Sequence, residues 1–274
     1  MKVIISRKGF DSANGGTASP VMPDGAMLSL PIPGGRKCEK YNELFYDGNS
    51  YADIWHSLKP KPHSKLKYCH LDPDLRAAAR AKTPKGWVAA YGQCGTSETH
   101  LVNQNVTIGD LFLFFGWFRK TEIRNGLLKY KRDSKDAHMF FGYLQIGKIV
   151  RNDDLQKYYW HPHSAYGSEN NTIYVASRHL IINGKNTGLP GAGTFKYSEE
   201  LVLTKPGMSR SKWQLPDFFK EVDISCHTKE NFKPEGYFQS VHIGQEFVVS
   251  EDKRVTKWAK NIIINNYDYS NLKN

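Results

Sequence analysis

The chain has 274 residues, 39% hydrophobic and 24% charged, an ordinary globular composition that excludes fibrous and long disordered classes. Lys plus Arg number 38 against 27 Asp plus Glu, a formal net charge of +11, and such an excess puts a polyanion, nucleic acid first, among the partners to consider. No apolar run is long enough to span a membrane. The opening Met1-Lys-Val-Ile-Ile-Ser-Arg-Lys8 is too weakly apolar for a secretory leader. The cysteines at 38, 69, 94 and 226 are far apart and form no Cys-x-x-Cys, so a reduced, cytoplasmic protein is expected.

Residues 2–6 read as a short buried strand. The next thirty residues carry Asn14-Gly-Gly16, Ser19-Pro20, Pro23-Asp-Gly25 and Pro31-Ile-Pro-Gly-Gly35, the punctuation of a long ordered loop. Loops of that length in compact domains are usually functional. Tyr51 to His56 begins a short helix. Leu71 to Ala81 is alanine-rich and predicts a helix, with Asp72 as N-cap and Pro73 at the first helical position. Asp110 to Phe118 is apolar at both parities, which predicts a strand buried on both faces. Ala137 to Val150 gives one or two further strands, joined to the first by a charged loop. Strands are expected at Thr172–Ala176, Glu200–Thr204 and Phe247–Val249, and a terminal helix from about Asp252 to Ile264. The mixture predicts an α+β fold: a mixed β-sheet or partly open barrel with peripheral helices and a long ordered N-terminal loop. One continuous domain over residues 1–274 is expected.

The basic charge is concentrated. Arg119, Lys120, Arg124, Lys129, Lys131, Arg132 and Lys135 lie within one short span, opposed only by Glu122 and Asp133, with Tyr130 interleaved. Basic side chains supply sequence-independent phosphate contacts, so this span is the candidate DNA-binding element. Its bland alternative is a solvated hairpin. A second cluster, Lys253, Arg254, Lys257 and Lys260, surrounds Trp258.

Several segments together carry a resemblance. They include Ile5-Ser-Arg-Lys-Gly-Phe-Asp-Ser12, Ser29-Leu-Pro-Ile-Pro33, His70-Leu-Asp-Pro-Asp74, Gly92-Gln93 with His100-Leu101, and Gly109-Asp-Leu-Phe-Leu-Phe-Phe-Gly-Trp-Phe-Arg119. Phe141-Gly-Tyr-Leu-Gln145, His161-Pro-His163, Ser240-Val241 and Gly244-Gln-Glu-Phe-Val248 complete the set. In this order, over nearly the whole chain, it resembles the third of the nucleotide-modification-associated domain families. The resemblance implies a role around modified DNA bases in phage and bacterial systems and leaves the reaction open. Glu98 departs from the family pattern.

Three constellations can carry chemistry. Arg7, Lys8 and Asp11 stand ahead of a Gly-Gly loop. N-glycosidic cleavage passes through an oxocarbenium-like transition state, which a carboxylate such as Asp11 stabilises. Lys8 can instead attack the sugar carbon as an amine, and Arg7 suits a flanking phosphate. The alternative is a capped turn with an Arg7–Asp11 ion pair. Gln93 and His100 suit recognition of an extruded base, or are satisfied loop residues. Cys94 with His100 lacks an orienting third residue, and an inert thiol is the simpler reading. His161 and His163 flank a proline and can bind metal, relay protons or contact phosphate. Their spacing to Cys69-His70 and Cys226-His227 matches no zinc motif, so no metal is expected. Without GxGxxG or Walker sequences, no nucleotide cofactor is expected.

The leading expectation is a base-flipping DNA glycosylase acting on hypermodified phage DNA in antiviral defence. Asp11, Lys8 and Arg7 are its catalytic candidates, and Gln93, His100, His161 and His163 would bind the base. The alternatives are a non-catalytic reader that recruits a nuclease, or a transferase that builds the modification.

Overall fold

The computed structural model describes residues 1–36, 38–59, 67–165, 167–241 and 245–272. Gly244, which opens the last motif quoted above, lies outside them. The structure is α+β. Its elements are β1 (Val3–Arg7), β2 (Ser19–Val21), α1 (Tyr51–Leu58), β3 (Ala90–Gln93), α2 (Gly95–Asn103), β4 (Leu111–Arg124), β5 (Leu127–Tyr130), β6 (Ala137–Arg151), β7 (Thr172–Ala176), β8 (Ala192–Thr194), β9 (Glu246–Val249) and α3 (Lys253–Asn266), with short turns and ribbons between. Among the described residues the main sheet runs β9-β1-β4-β6-β7-β3, with β2 and β5 on β4 and β8 on β6, and it does not close into a barrel. It is mixed: β1 runs parallel to β4, with Ile5 opposite Leu113, whereas β6 is antiparallel to β4, with Phe140 opposite Phe115.

β4 explains the sheet's central position. Leu111 to Phe115 are wholly buried at both parities, as expected of a strand covered on both faces. α3 covers part of the sheet. The Asp252 side chain caps it by accepting from the Arg254 and Val255 amides, and Val255, Ala259, Ile262 and Ile263 form its buried stripe. A second apolar cluster gathers Phe10, Tyr41 and Trp55 under α1. Phe10 meets Trp55 edge-on at 5.5 Å, which pins the N-terminal loop to this cluster. Among the described residues no helix is long and apolar enough to cross a membrane.

Three expectations are corrected. Leu71–Ala81 is not an α-helix and holds only a short 3-10 turn at Ala77–Ala79. The backbone of Asp74 pairs with Ala90 in both directions, and its carboxylate takes Arg80 and the Trp87 indole N–H. These long-range partners outweigh alanine propensity. The basic span is not a single loop: Arg119, Lys120 and Arg124 lie on β4 and Lys129 on β5, and only Lys131, Arg132 and Lys135 fall in the connection to β6. Asn125 and Gly126 both adopt positive φ, 53° and 72°, as a tight hairpin turn requires, and β5 folds back on β4. Glu200–Thr204 is not a strand either: Leu203 and Thr204 both donate to the His138 carbonyl, so no ladder develops.

Candidate functional site

Lys8 leaves the end of β1, where Ser6 is paired with Glu246 of β9. The Lys8 amine lies 2.8 Å from Glu246 Oε1, and the two side chains are only 9% and 1% exposed. The same oxygen accepts from Tyr91 Oη at 2.6 Å and from Gln93 Nε2 at 2.9 Å. Lys8 Nζ also sits 4.6 Å from the centre of the Tyr91 ring. Burial, then the Glu246 charge, pushes the Tyr91 hydroxyl far above its ordinary range, so it stays a donor. Glu246 Oε2 is buried with no hydrogen-bond partner among the described residues, so the carboxylate retains capacity to take a proton.

The same wall holds a buried carboxylate, Asp72, ringed by imidazoles. Asp72 Oδ1 accepts the Gly92 amide at 2.9 Å. His161 Nε2 approaches that oxygen at 3.3 Å, off the axis of a well-aligned hydrogen bond. Asp72 Oδ2 faces His70 Nε2 and His163 Nε2, each at 3.8 Å. Burial alone would raise the Asp72 carboxyl, but His161, His163 and His70 outweigh it and hold it well below the usual range. Burial pushes His163 down to about 4 against the opposing pull of Asp72, and His70 moves down for the same reason. Both imidazoles are therefore neutral at pH 7. The strand beneath must lack a side chain. A Cβ on Gly92 would lie 2.4 Å from His163 ring carbons and 2.9 Å from His161 Cε1.

Lys8, Gln93, Asp72, His70 and His163 open on a cavity of about 930 Å³, whose lining does not include Glu246, Tyr91 or His161. Arg7, Lys8 and Asp11 line it from the N-terminal loop, Gln93 and Cys94 from the end of β3, and His70, Asp72 and His163 from the wall just described. Its volume is that of a small-molecule pocket. Trp117, on β4, and Arg210 close one side. The guanidinium lies 3.9 Å over the indole and donates to Ser12 Oγ at 3.2 Å. The aromatic strand thus contributes one ring to the cavity, where core packing alone was expected.

The family model described as nucleotide modification associated domain 3 matches residues 2–250. The chain belongs to that family. No curated protein and no solved structure matches it. Membership associates the nucleotide modification associated domain 3 fold with modified nucleotides and names no reaction.

Within this family member, Arg7, Lys8, Asp11, Gln93 and His163, separated by up to about 150 positions, share one cavity. His161 lies behind it against Asp72. His100 does not line it; its Nε2 faces Ser225 Oγ at 3.0 Å and Cys226. The Asp11 carboxylate accepts the Ala13 and Asn14 amides and the Asn14 side chain, which is the work of a turn cap. Gln93 has both amide hydrogens engaged, on Tyr91 and Glu246, and its oxygen accepts the Cys94 amide. Glu98 belongs to a separate, smaller cavity, where Thr172, Tyr174 and Arg151 occupy its carboxylate.

Of the basic residues, Arg119 stands on the same face of β4 as Trp117, donates to the Lys131 carbonyl and lies over the Tyr130 ring. Tyr130 in turn reaches Thr17 and Ala18 of the N-terminal loop. The hairpin therefore packs on the N-terminal loop, and its first strand reaches the cavity at Trp117. Lys120 pairs with Glu199 and Arg124 with Glu122. No ion pair to Lys129, Lys131 or Arg132 occurs among the described residues.

Reading the sequence alone gave Asp72 and Glu246 no chemical role, and it offered Tyr91 as a ring to stack on a base, whereas that ring is wholly buried and its hydroxyl serves Glu246. Asp72 resembles a helix cap. Glu246 was hidden in an apolar strand, where a carboxylate next to Phe-Val-Val was the available signal of a buried, paired charge.

Proposed function

We propose that the cavity receives a modified nucleotide extruded from DNA and cleaves its N-glycosidic bond, with Lys8 as the nucleophile. The observation that carries this reading is that Lys8, in the cavity wall, is paired with the buried Glu246. A nucleophile lies within hydrogen-bond reach of a base, and Tyr91 and Gln93 orient that base. Glu246 takes a proton from the Lys8 ammonium. The Nζ lone pair then bonds to C1′ while the C1′–N bond breaks. Its electron pair leaves with the base, which takes a proton from water. Ring opening moves a proton from Nζ to O4′ and leaves an imine, which water hydrolyses to free the sugar and the amine. Asp11 at the mouth of the cavity opposes the positive charge that develops on the sugar. Arg7 and Arg210 suit the flanking phosphates. Trp117 offers a face for stacking beside the extruded base. The basic hairpin, whose first strand carries Trp117, would hold the DNA.

The test is incubation with unmodified DNA and with phage DNA carrying hypermodified bases. Released bases are read by mass spectrometry and the covalent imine by borohydride reduction. Base release confined to modified DNA, with a trapped adduct that Lys8→Arg abolishes, is expected. Selective binding with neither release nor adduct would leave a non-catalytic reader. Release that survives Lys8→Arg but not Asp11→Asn would move catalysis to the carboxylate.

A further inference from the structure

We propose that His70, Asp72 and His163 form a binding site for a divalent transition-metal ion, with its open coordination positions facing the cavity. The spacing in the sequence argued against zinc because no motif joins these residues, but folding brings one ligand atom of each to within 4.8 Å of the others. Two imidazole nitrogens and one carboxylate oxygen are a donor set suited to Zn²⁺, Fe²⁺ or Mn²⁺.

The surroundings prepare each donor. Asn171 Nδ2 donates to the His163 carbonyl at 2.7 Å, which fixes the amide so that Asn171 Oδ1 is the acceptor for His163 Nδ1–H, also at 2.7 Å. His163 therefore carries its proton on Nδ1 and presents the Nε2 lone pair to Asp72. A metal-ligating histidine is oriented in this way. Asp72 is prepared on its other oxygen. The Gly92 amide holds Oδ1, with His161 Nε2 3.3 Å from the same atom, and Oδ2 faces His70 and His163. His161 accepts the His163 amide on Nδ1 at 3.2 Å, so its own proton is on Nε2, the atom facing Asp72. It acts as a partner of the carboxylate rather than a ligand.

The 3.8 Å separations between Asp72 Oδ2 and the two Nε2 atoms are too long for hydrogen bonds. They are within reach of a shared ion, since two donors each about 2.1 Å from a metal can stand up to about 4.2 Å apart. His70 is the least buried of the three at 15% exposure, and its ring is the one that would turn to close the triad on an ion. Two neutral imidazoles and one carboxylate leave a divalent ion with net positive charge. Its open positions suit a water or a phosphate or carbonyl oxygen of the cavity's ligand. Metal binding requires no substrate and does not depend on the role of Lys8.

The test uses the full chain, stripped with chelator and titrated with Zn²⁺ by calorimetry, with bound metal counted by mass spectrometry. One equivalent is expected, weakened at least tenfold by Asp72→Asn and by His70→Gln. Zn K-edge X-ray absorption of the wild-type protein, which needs no variant, should show two imidazoles and no sulfur. No saturable binding, binding unchanged in both folded variants, or sulfur in the shell from Cys38 or another thiol would each overturn the site.

Discussion

Lys8 Nζ and Glu246 Oε1 are 238 positions apart in the chain and 2.8 Å apart in the fold. Removing one member of a buried pair leaves the other uncompensated, at a cost of about 3–5 kcal/mol. Glu246→Gln preserves shape and is expected to destabilise the protein by roughly that amount, because the ammonium of Lys8 loses its counter-charge. Lys8→Met combined with Glu246→Gln should recover part of the loss. Urea denaturation of the four proteins gives a coupling energy, and a value near zero would mean that the two groups do not interact in solution.

The Gly92–His163 contact makes a second prediction. Gly92→Ala places a methyl group 2.4 Å from the ring and forces His163 and His161 away from Asp72. Overpacking of this kind costs about 1–3 kcal/mol. The protein should still fold, melt at a lower temperature and lose Zn²⁺ affinity to a similar extent as Asp72→Asn. Unchanged affinity in a folded Gly92→Ala variant would mean that the histidine placement above β3 is wrong.

The basic hairpin divides into paired and unpaired charges. Lys120 and Arg124 already have carboxylate partners, so substituting them should affect DNA affinity least. Lys131 and Arg132 are exposed and are expected to carry phosphate contacts. Replacing both with Ala should flatten the plot of log affinity against log salt by about 0.9 per lost contact, equally for modified and unmodified DNA. A double variant with the wild-type slope would place the DNA on another surface.

Much of the frame could be read from the sequence because its signals are local. β4 and β6 carry apolar stretches interrupted only by a glycine, Leu111–Phe118 and Met139–Leu144, and Asp252 caps α3 ahead of an amphipathic stripe. The segment from Leu71 to Ala81 failed because its two aspartates answer to distant partners: Asp72 to three imidazoles, and Asp74 to Ala90, Arg80 and Trp87. The hairpin turn at Asn125-Gly126 was readable, but the surrounding charge obscured it. In the site, residues that look chemical in isolation were found, namely Arg7, Lys8, Asp11, Gln93 and His163. The carboxylate that pairs with Lys8 was not, nor was the role of Tyr91 as its partner, because Glu246 and Tyr91 sit in strands whose composition reads as core. Pairing across the sheet decides which buried carboxylate meets which amine, and no local pattern encodes it.

His227 gives a pH prediction away from the cavity. Its Nδ1 faces the Ser225 carbonyl at 3.0 Å and its Nε2 faces the Val241 amide at 3.2 Å. The amide can only donate, so Nε2 must accept, and the ring is neutral with its proton on Nδ1. Phe238 and Phe247 pack against it, with ring centres 4.7 and 4.6 Å away. Burial lowers its pKa below the ordinary 6.5, and the Ser225 carbonyl only partly offsets this. Between that lowered value and 6.5 the unfolded chain binds a proton that the folded chain does not. Stability therefore rises with pH across this window and is lost as pH falls through it. His70 and His163, also lowered, act with the same sign. His227→Gln removes the titration while keeping an amide oxygen for Val241. The gap between urea midpoints at pH 5 and pH 7.5 should narrow in this variant without closing, the remainder belonging to His70 and His163. An unchanged gap would mean that the ring is protonated in the folded protein and the Val241 contact is absent.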